Sequence, residues 1–418
     1  MRRISLFISI FIAVSAFASD PTATSYTFDE CCGSLRPYQA PTTAIATPDS
    51  LMPVMINHVG RYGSRYPASS NHTYALRSAL LKADSLGTIT DKGKRLLELT
   101  SYVADISQSY WGALDSLGMA EQRGIASRMF LNYPELFDGQ KVMAYSSYSP
   151  RCVASMYEFT HQLGRLNNKV EITTIAGRQN SRVLRPFDEN ADYSDYLRGK
   201  VWEIPYSDYL ATQINAEQVR RIVGEAYPLT QSEIADLAVV EYYFLAGLKA
   251  MNIDVDLSEF LTKEEANAMW SCYNLRQYLQ RCATTLSSVP AEITTPLILD
   301  IIRTTDDFIS GKSDNTAILR FGHTETLLPL LSQLRMKGCY YLTNYFDTVG
   351  QHFRDFEIVP MAANLQMILF ADAMGNYHVR FDLNEKPIQL IPNDDRIYIP
   401  WSEAREYMIH CLPLIDQP

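Results

Sequence analysis

Arg61 and Arg65 lie four positions apart in the stretch NHVGRYGSRYPAS, residues 57–69, with Tyr62 following the first of them. Guanidinium groups present planar, forked N–H donors that match phosphate oxygens. Two of them in one glycine-bearing loop suit a phosphate. A third, Arg151, opens a helical stretch in SYSPRCVASM, and His323 is followed two residues later by Glu325 in FGHTETLLPLL. A carboxyl group beside a bound phosphate is disfavoured as a carboxylate and can hold a proton for a departing oxygen. The combination points to phosphoryl chemistry, and Tyr62 stands where such a loop wants a nucleophile. Singly each signal is weak, because a loop arginine is usually a solvated charge and a lone histidine is more often structural. His58, His72, His161, His352, His378 and His410 are read in that structural sense.

The elements that carry these groups give them weight. VMINHVGRYGSRYP, KVMAYSSYSPRCVASM and AILRFGHTETLLPLL share one plan: an apolar strand, a short polar loop, then a helix start. In a parallel α/β sheet, ligands sit beyond the carboxyl ends of the strands. Each new helix also offers free backbone N–H groups and a partial positive charge there. If the three strands are neighbours, Arg61, Arg65, Arg151 and His323 face one crevice.

Along the rest of the chain, residues 73–133 read as mostly helical and residues 170–177 as a β-branched strand. Residues 185–295 change character, with two long stretches at helical spacing and little strand signal. The α/β pattern returns near residue 315, and LQMILFADAMGNYHVRF reads as two strands joined across a Gly-Asn turn. The expected fold class is α/β: a central sheet flanked by helices, its core from residues 51–184 and 296–418, with an inserted all-helical domain at 185–295. The tyrosine-rich run at 188–210 is read as ordinary aromatic packing.

The formal net charge of −10 argues against nucleic acid as the main partner. It leaves room for a small anionic ligand in a locally basic pocket. The opening MRRISLFISIFIAVSAFASDP has a basic start, an apolar run and a small-x-small site at Ala16–Ala18. That is an export signal covering residues 1–18, with a mature chain expected near Ser19. The expectation is an exported protein, periplasmic or secreted, with no membrane span after signal removal. Of seven cysteines, Cys272 and Cys282 are placed where they could pair in a helical region. No CxxC pair occurs, which argues against a zinc site, and no cofactor is expected.

Residues 61–67, Arg-Tyr-Gly-Ser-Arg-Tyr-Pro, resemble the first motif of the histidine acid phosphatases, Arg-His-Gly-x-Arg-x-Pro. His323-Thr324-Glu325, together with VPMAANLQMILF, FDLNEKPIQLIP and VLRPFDENADY, is similar to the multiple inositol polyphosphate phosphatase (phytase-like) branch. The resemblance runs from about residue 51 to 400. It implies a metal-independent phosphate monoesterase with an α/β core and an inserted α-domain, binding phytate-like substrates between the two. It further implies that the motif histidine attacks phosphorus to form a phosphohistidine. By the same resemblance, Arg61, Arg65, Arg151 and His323 hold phosphate oxygens, Glu325 protonates the leaving alcohol, and Arg185 is a candidate substrate contact from the helical side.

Tyr62 departs from that pattern. An imidazole with a pKa of about 6.5 offers a neutral nitrogen nucleophile near neutral pH, whereas an ordinary phenol, with a pKa of about 10, offers almost no phenolate. The phenol oxygen also lies farther from the backbone and would crowd the phosphorus position. Three readings stay open. The chain binds phosphate esters, chiefly inositol polyphosphates, with hydrolysis weak or lost; it hydrolyses them using Tyr62 or water, with Glu325 as proton donor; or it is a non-catalytic partner-binding protein on this fold.

Overall fold

The computed structural model describes residues 25–43 and 45–417; the export signal read at residues 1–18 lies outside the described residues. One sheet organises the chain. Its strands are β1 (Leu51–Arg61), β2 (Lys141–Ser146), β3 (Glu171–Ala176), β4 (Asn315–Gly322), β5 (Asn364–Asp372), β6 (Tyr377–Leu383), β7 (Lys386–Pro387) and β8 (Ile399–Pro400). They lie in the order β3-β2-β4-β1-β5-β6-β7, with β8 paired to β6. The first four run parallel; β5 pairs antiparallel with β1, and β6 antiparallel with β5. The three strands expected to be neighbours are therefore contiguous, as β2-β4-β1.

Alternation along the central strands explains why both faces are covered. In β1, Met55 and Val59 enter one apolar cluster while Ile56 enters another. In β5, Leu365, Met367 and Leu369 face the first side, and Ile368 and Phe370 the second. Successive side chains of a strand point to opposite faces, so a strand with apolar residues on both faces needs helices on both.

The helices of eight residues or more are α1 (Asn71–Ser85), α2 (Asp91–Ser107), α3 (Ser116–Asn132), α4 (Pro150–Leu166), α5 (Ala191–Gly199), α6 (Glu203–Gln213), α7 (Ala216–Val223), α8 (Gln231–Ala246), α9 (Lys263–Arg281), α10 (Thr295–Ile309), α11 (Thr324–Gln333) and α12 (Trp401–His410). Helices α3 and α4 cover one face of the sheet, through Ile125, Met129, Met156 and Phe159. Helices α10, α11 and α12 cover the other.

A separate apolar cluster lies above the strand ends. It contains Val219, Ile222, Leu237, Tyr242 and Trp270 from the helical segment, and also Leu76, Leu80, Leu96 and Val103 of α1 and α2. The helical layer thus draws on residues 71–107 as well as on the 185–295 segment. Capping boxes start two of its helices, Thr230 with Glu233 for α8 and Thr262 with Glu265 for α9. The tyrosines of residues 188–210 pack onto α9: the Tyr193 and Tyr196 hydroxyls donate to the carbonyls of Gln280 and Leu279. Cys272 and Cys282 lie ten residues apart on this one helical run, about 15 Å along its axis, beyond the reach of a disulfide. All seven cysteines are free and buried.

Candidate anion-binding site

Strand register sets the site. Arg61 is paired with Gly322 across β1 and β4, and Ser146 with Phe321 across β2 and β4, so the three carboxyl ends finish at one level. Beyond them the Tyr62 N–H donates to the Gly322 carbonyl and the Ser147 N–H to the Phe321 carbonyl. Tyr62, Ser147 and His323 consequently stand side by side at the crest of the sheet.

The loop after β1 is pinned from α3. The Glu121 carboxylate accepts from the Ser64 N–H, the Ser64 hydroxyl and the Tyr38 N–H, at 2.7, 2.7 and 2.8 Å. Gln122 donates to the Arg61 carbonyl at 3.0 Å. Gly63 and Gly118 let loop and helix touch through backbone: a Cβ on Gly63 would lie 2.5 Å from the Gly118 oxygen, and one on Gly118 would lie 2.1 Å from the Ser64 oxygen.

Three guanidiniums close on the Tyr62 ring. Their central carbons lie 4.5 Å (Arg151), 5.1 Å (Arg61) and 5.5 Å (Arg65) from its centroid. Each has an Nε–H that is buried without a hydrogen-bond partner. A buried, unpaired charged donor is costly, and three such donors around one ring are free to meet an anion. Burial alone would push the Tyr62 phenol up, but Arg65, Arg61 and Arg151 together outweigh it and bring the phenol down to about 7.

His323 lies behind this group, its ring meeting that of Tyr62 edge-on with centroids 5.6 Å apart. Its Nε2 is 3.0 Å from the Ser147 hydroxyl and 2.8 Å from Arg185 Nη1. Arginine only donates, so Nε2 accepts and the imidazole is neutral. Burial likewise pushes His323 down to about 3. Arg185 is also paired with Asp188 at 2.6 Å, and its guanidinium stacks over Tyr148 and Phe187. The structure places it beside His323 rather than across the cleft.

Glu325 lines the cleft, where its carboxylate accepts from Arg281 at 2.7 Å. Burial would raise its pKa, but Arg281 overrules that and holds it well below the usual carboxylate range. That pairing favours the carboxylate form of Glu325. A dianion bound beside it would supply the opposing push that a proton donor needs.

A cleft of about 340 Å³ separates this crest from the helical layer. From the helical side it is lined by Arg276, Gln277, Gln280 and Arg281 of α9 and by His72 of α1, whose ring stacks on Tyr243 at 4.7 Å. Arg61 and Arg65 contribute from below, and among the described residues Glu325 is the one acidic side chain in the lining. The cleft is basic within an acidic protein. His72, read from the sequence as merely structural, borders it; no local motif marks His72, Arg276 or Arg281. His58 lies buried between Phe159 and Phe321, and burial lowers it to about 3. Among the described residues no cluster of three or more His, Cys, Asp or Glu side chains is placed to hold a metal, and no helix is long and apolar enough to cross a membrane.

Known proteins share the fold. The profile of the Histidine phosphatase superfamily (branch 2) matches residues 55–384. Multiple inositol polyphosphate phosphatase 1 of Gallus gallus is 26% identical over 400 residues, covering 90% of this chain and 84% of the relative. Its Homo sapiens counterpart is 24% identical, covering 82% and 77%. Among solved structures, the Bifidobacterium longum multiple inositol polyphosphate phosphatase in complex with inositol hexasulfate superposes with a TM-score of 0.76 at 16% identity, covering 90% of this chain and 96% of that one. The phytase from D. castellii superposes with a TM-score of 0.73, also at 16% identity, covering 96% and 90%.

Proposed function

This chain belongs to branch 2 of the histidine phosphatase superfamily, and on that premise we propose that it binds phosphate monoesters of the inositol polyphosphate class in its cleft and hydrolyses them slowly. The observation that carries the reading is the convergence of Arg61, Arg65 and Arg151 on one point, each with an unpartnered Nε–H. One phosphate of the ligand meets these groups. Arg276 and His72, on the opposite wall, suit a second phosphate on the same ring. Several ring phosphates would let one molecule bridge sheet and helical layer, as a simple monoester cannot.

Hydrolysis is slow in this reading because the family's motif has histidine where this chain has Tyr62. The phenol ring fills the centre of the arginine cluster, and His323, locked by Arg185, has no free nitrogen lone pair to replace the missing nucleophile.

A second reading draws on the lowered pKa of Tyr62. A phenol titrating at about 7 is half phenolate at neutral pH. Its oxygen would attack phosphorus as the ester oxygen departs with a proton from Glu325. Water, giving a proton back to Glu325, would then attack phosphorus, breaking the bond to Tyr62 and releasing inorganic phosphate and the phenolate. Phosphate release from inositol hexakisphosphate by the unmodified chain, Tyr62→His and Tyr62→Phe separates the two. Slow release, raised by histidine and unaffected by phenylalanine, supports the first reading; brisk release abolished by Tyr62→Phe supports the second. Both place the chemistry outside the cytoplasm, following the export signal, and a mature N-terminus near Ser19 tests that.

A further inference from the structure

Arg61 is the one guanidinium of the cluster held by the strand itself, and what fixes its side chain lies far away in sequence. Its Nη1 donates to two carbonyls, those of Ser34 and Val359, each at 2.6 Å. Both carbonyls lead back to a single residue. The Asp355 carboxylate accepts from the Ser34 N–H at 2.7 Å, and the Asp355 carbonyl accepts from the Val359 N–H at 2.8 Å.

Asp355 is itself held firmly. It is fully buried in the single turn Asp355–Ile358. Trp270 Nε1 donates to its other carboxylate oxygen at 2.9 Å, and its own N–H donates to Asn274 Oδ1 at 3.0 Å. Gly33, at φ +58°, lets the carboxylate come close, since a Cβ there would stand 2.9 Å from Asp355 Oδ2. Two carbonyls fix the plane of Arg61 without cancelling its charge, which a direct carboxylate partner would do. Its Nε–H stays free for an anion.

We propose that Asp355 is a positioning residue for anion binding: by holding the Ser34 and Val359 carbonyls, it sets the guanidinium plane of Arg61. The proposal rests on the reading of Arg61 as an anion-binding group. It also ties the segment around Glu30–Leu35 to the site as a structural part of it.

The test is a double-mutant cycle on inositol hexakisphosphate affinity, measured by calorimetry at one pH with the full chain, Arg61→Ala, Asp355→Asn and the double variant. Asp355→Asn keeps the shape, removes a negative charge near the anion and sets an amide N–H against an existing donor. A purely electrostatic role would tighten binding. Positioning instead weakens it about tenfold when Arg61 is present. In the Arg61→Ala background the same change costs less than about twofold. Equal losses in both backgrounds, or no loss with Arg61 present, overturn the proposal. If Arg61→Ala alone leaves affinity unchanged, the reading of the site fails first and the proposal falls with it. Should Asp355→Asn not fold, Asp355→Glu, which keeps the charge and displaces the carboxylate, carries the same cycle with the same outcomes.

Discussion

Arg151 holds its guanidinium carbon 4.5 Å from the centre of the Tyr62 ring, nearer than either Arg61 or Arg65. The three arginines come from two chain segments, and the point they share is the phenol itself. Tyr62 thus fills the space between the three guanidiniums and, when ionised, is their internal counter-ion.

Removing the ring should open that site. Tyr62→Ala is expected to bind inorganic phosphate about tenfold more tightly than the unmodified chain, the yield of one added charge-assisted hydrogen bond. Equilibrium dialysis with labelled phosphate measures this. Unchanged or weaker binding would mean that the arginines do not meet the anion where the ring now stands.

The same counter-ion makes binding depend on pH, with a definite sign. Below about 7 the phenol is neutral and the arginines carry their full charge; above it the phenolate cancels part of that charge. Sulfate keeps its own charge across this range, so its affinity should fall as pH rises through 7. His323, pushed down to about 3, and Glu325, ionised against Arg281, add no step in that window. Tyr62→Phe is expected to flatten the profile. A step that survives in Tyr62→Phe belongs to some other group.

Restoring a nucleophile should expose the role of Glu325. Tyr62→His is expected to raise phosphate release by about a hundredfold or more, since the remaining groups are in place. Adding Glu325→Gln to that variant should lower turnover by about 10²- to 10⁴-fold, the usual worth of a general acid. Binding should hold or tighten, because Arg281 loses the carboxylate that pairs it. Initial-rate measurements separating kcat from KM decide this, and an intact kcat in the double variant excludes Glu325 as the donor.

The strand–loop–helix plan announced much of this site in the sequence. Arg61 ends an apolar strand, and Arg65, Arg151 and His323 follow such strands within five residues, so strand order decides whether they meet, and β2-β4-β1 adjacency brings them together. Arg281 and Arg276 gave no such signal. They lie in the last turns of a long helix, and which way those turns face depends on how α9 packs over the sheet ends. Asp355 and Ser34 act through backbone groups hundreds of residues apart, a relationship that no local motif encodes. The share of α1 and α2 in the helical layer was hidden for a similar reason: an amphipathic helix reports that it has an apolar face, not which neighbour covers it.

Glu121 offers a stability test independent of activity. Replacing it with alanine strands the Ser64 and Tyr38 N–H groups and the Ser64 hydroxyl in a buried place. The expected cost is about 3 kcal/mol in denaturant unfolding, together with weaker anion binding as the Arg61–Arg65 loop loosens. A change within about 0.5 kcal/mol would show that the loop is held by other means.

The most direct measurement is calorimetric titration of inositol hexakisphosphate into the unmodified chain, Arg61→Ala, Arg65→Ala and Arg151→Ala. If the three guanidiniums share one phosphate, each alanine variant should lose about tenfold or more in affinity while remaining folded. Binding that is undetectable in the unmodified chain, or equally tight in all four proteins, would contradict a common anion site around Tyr62.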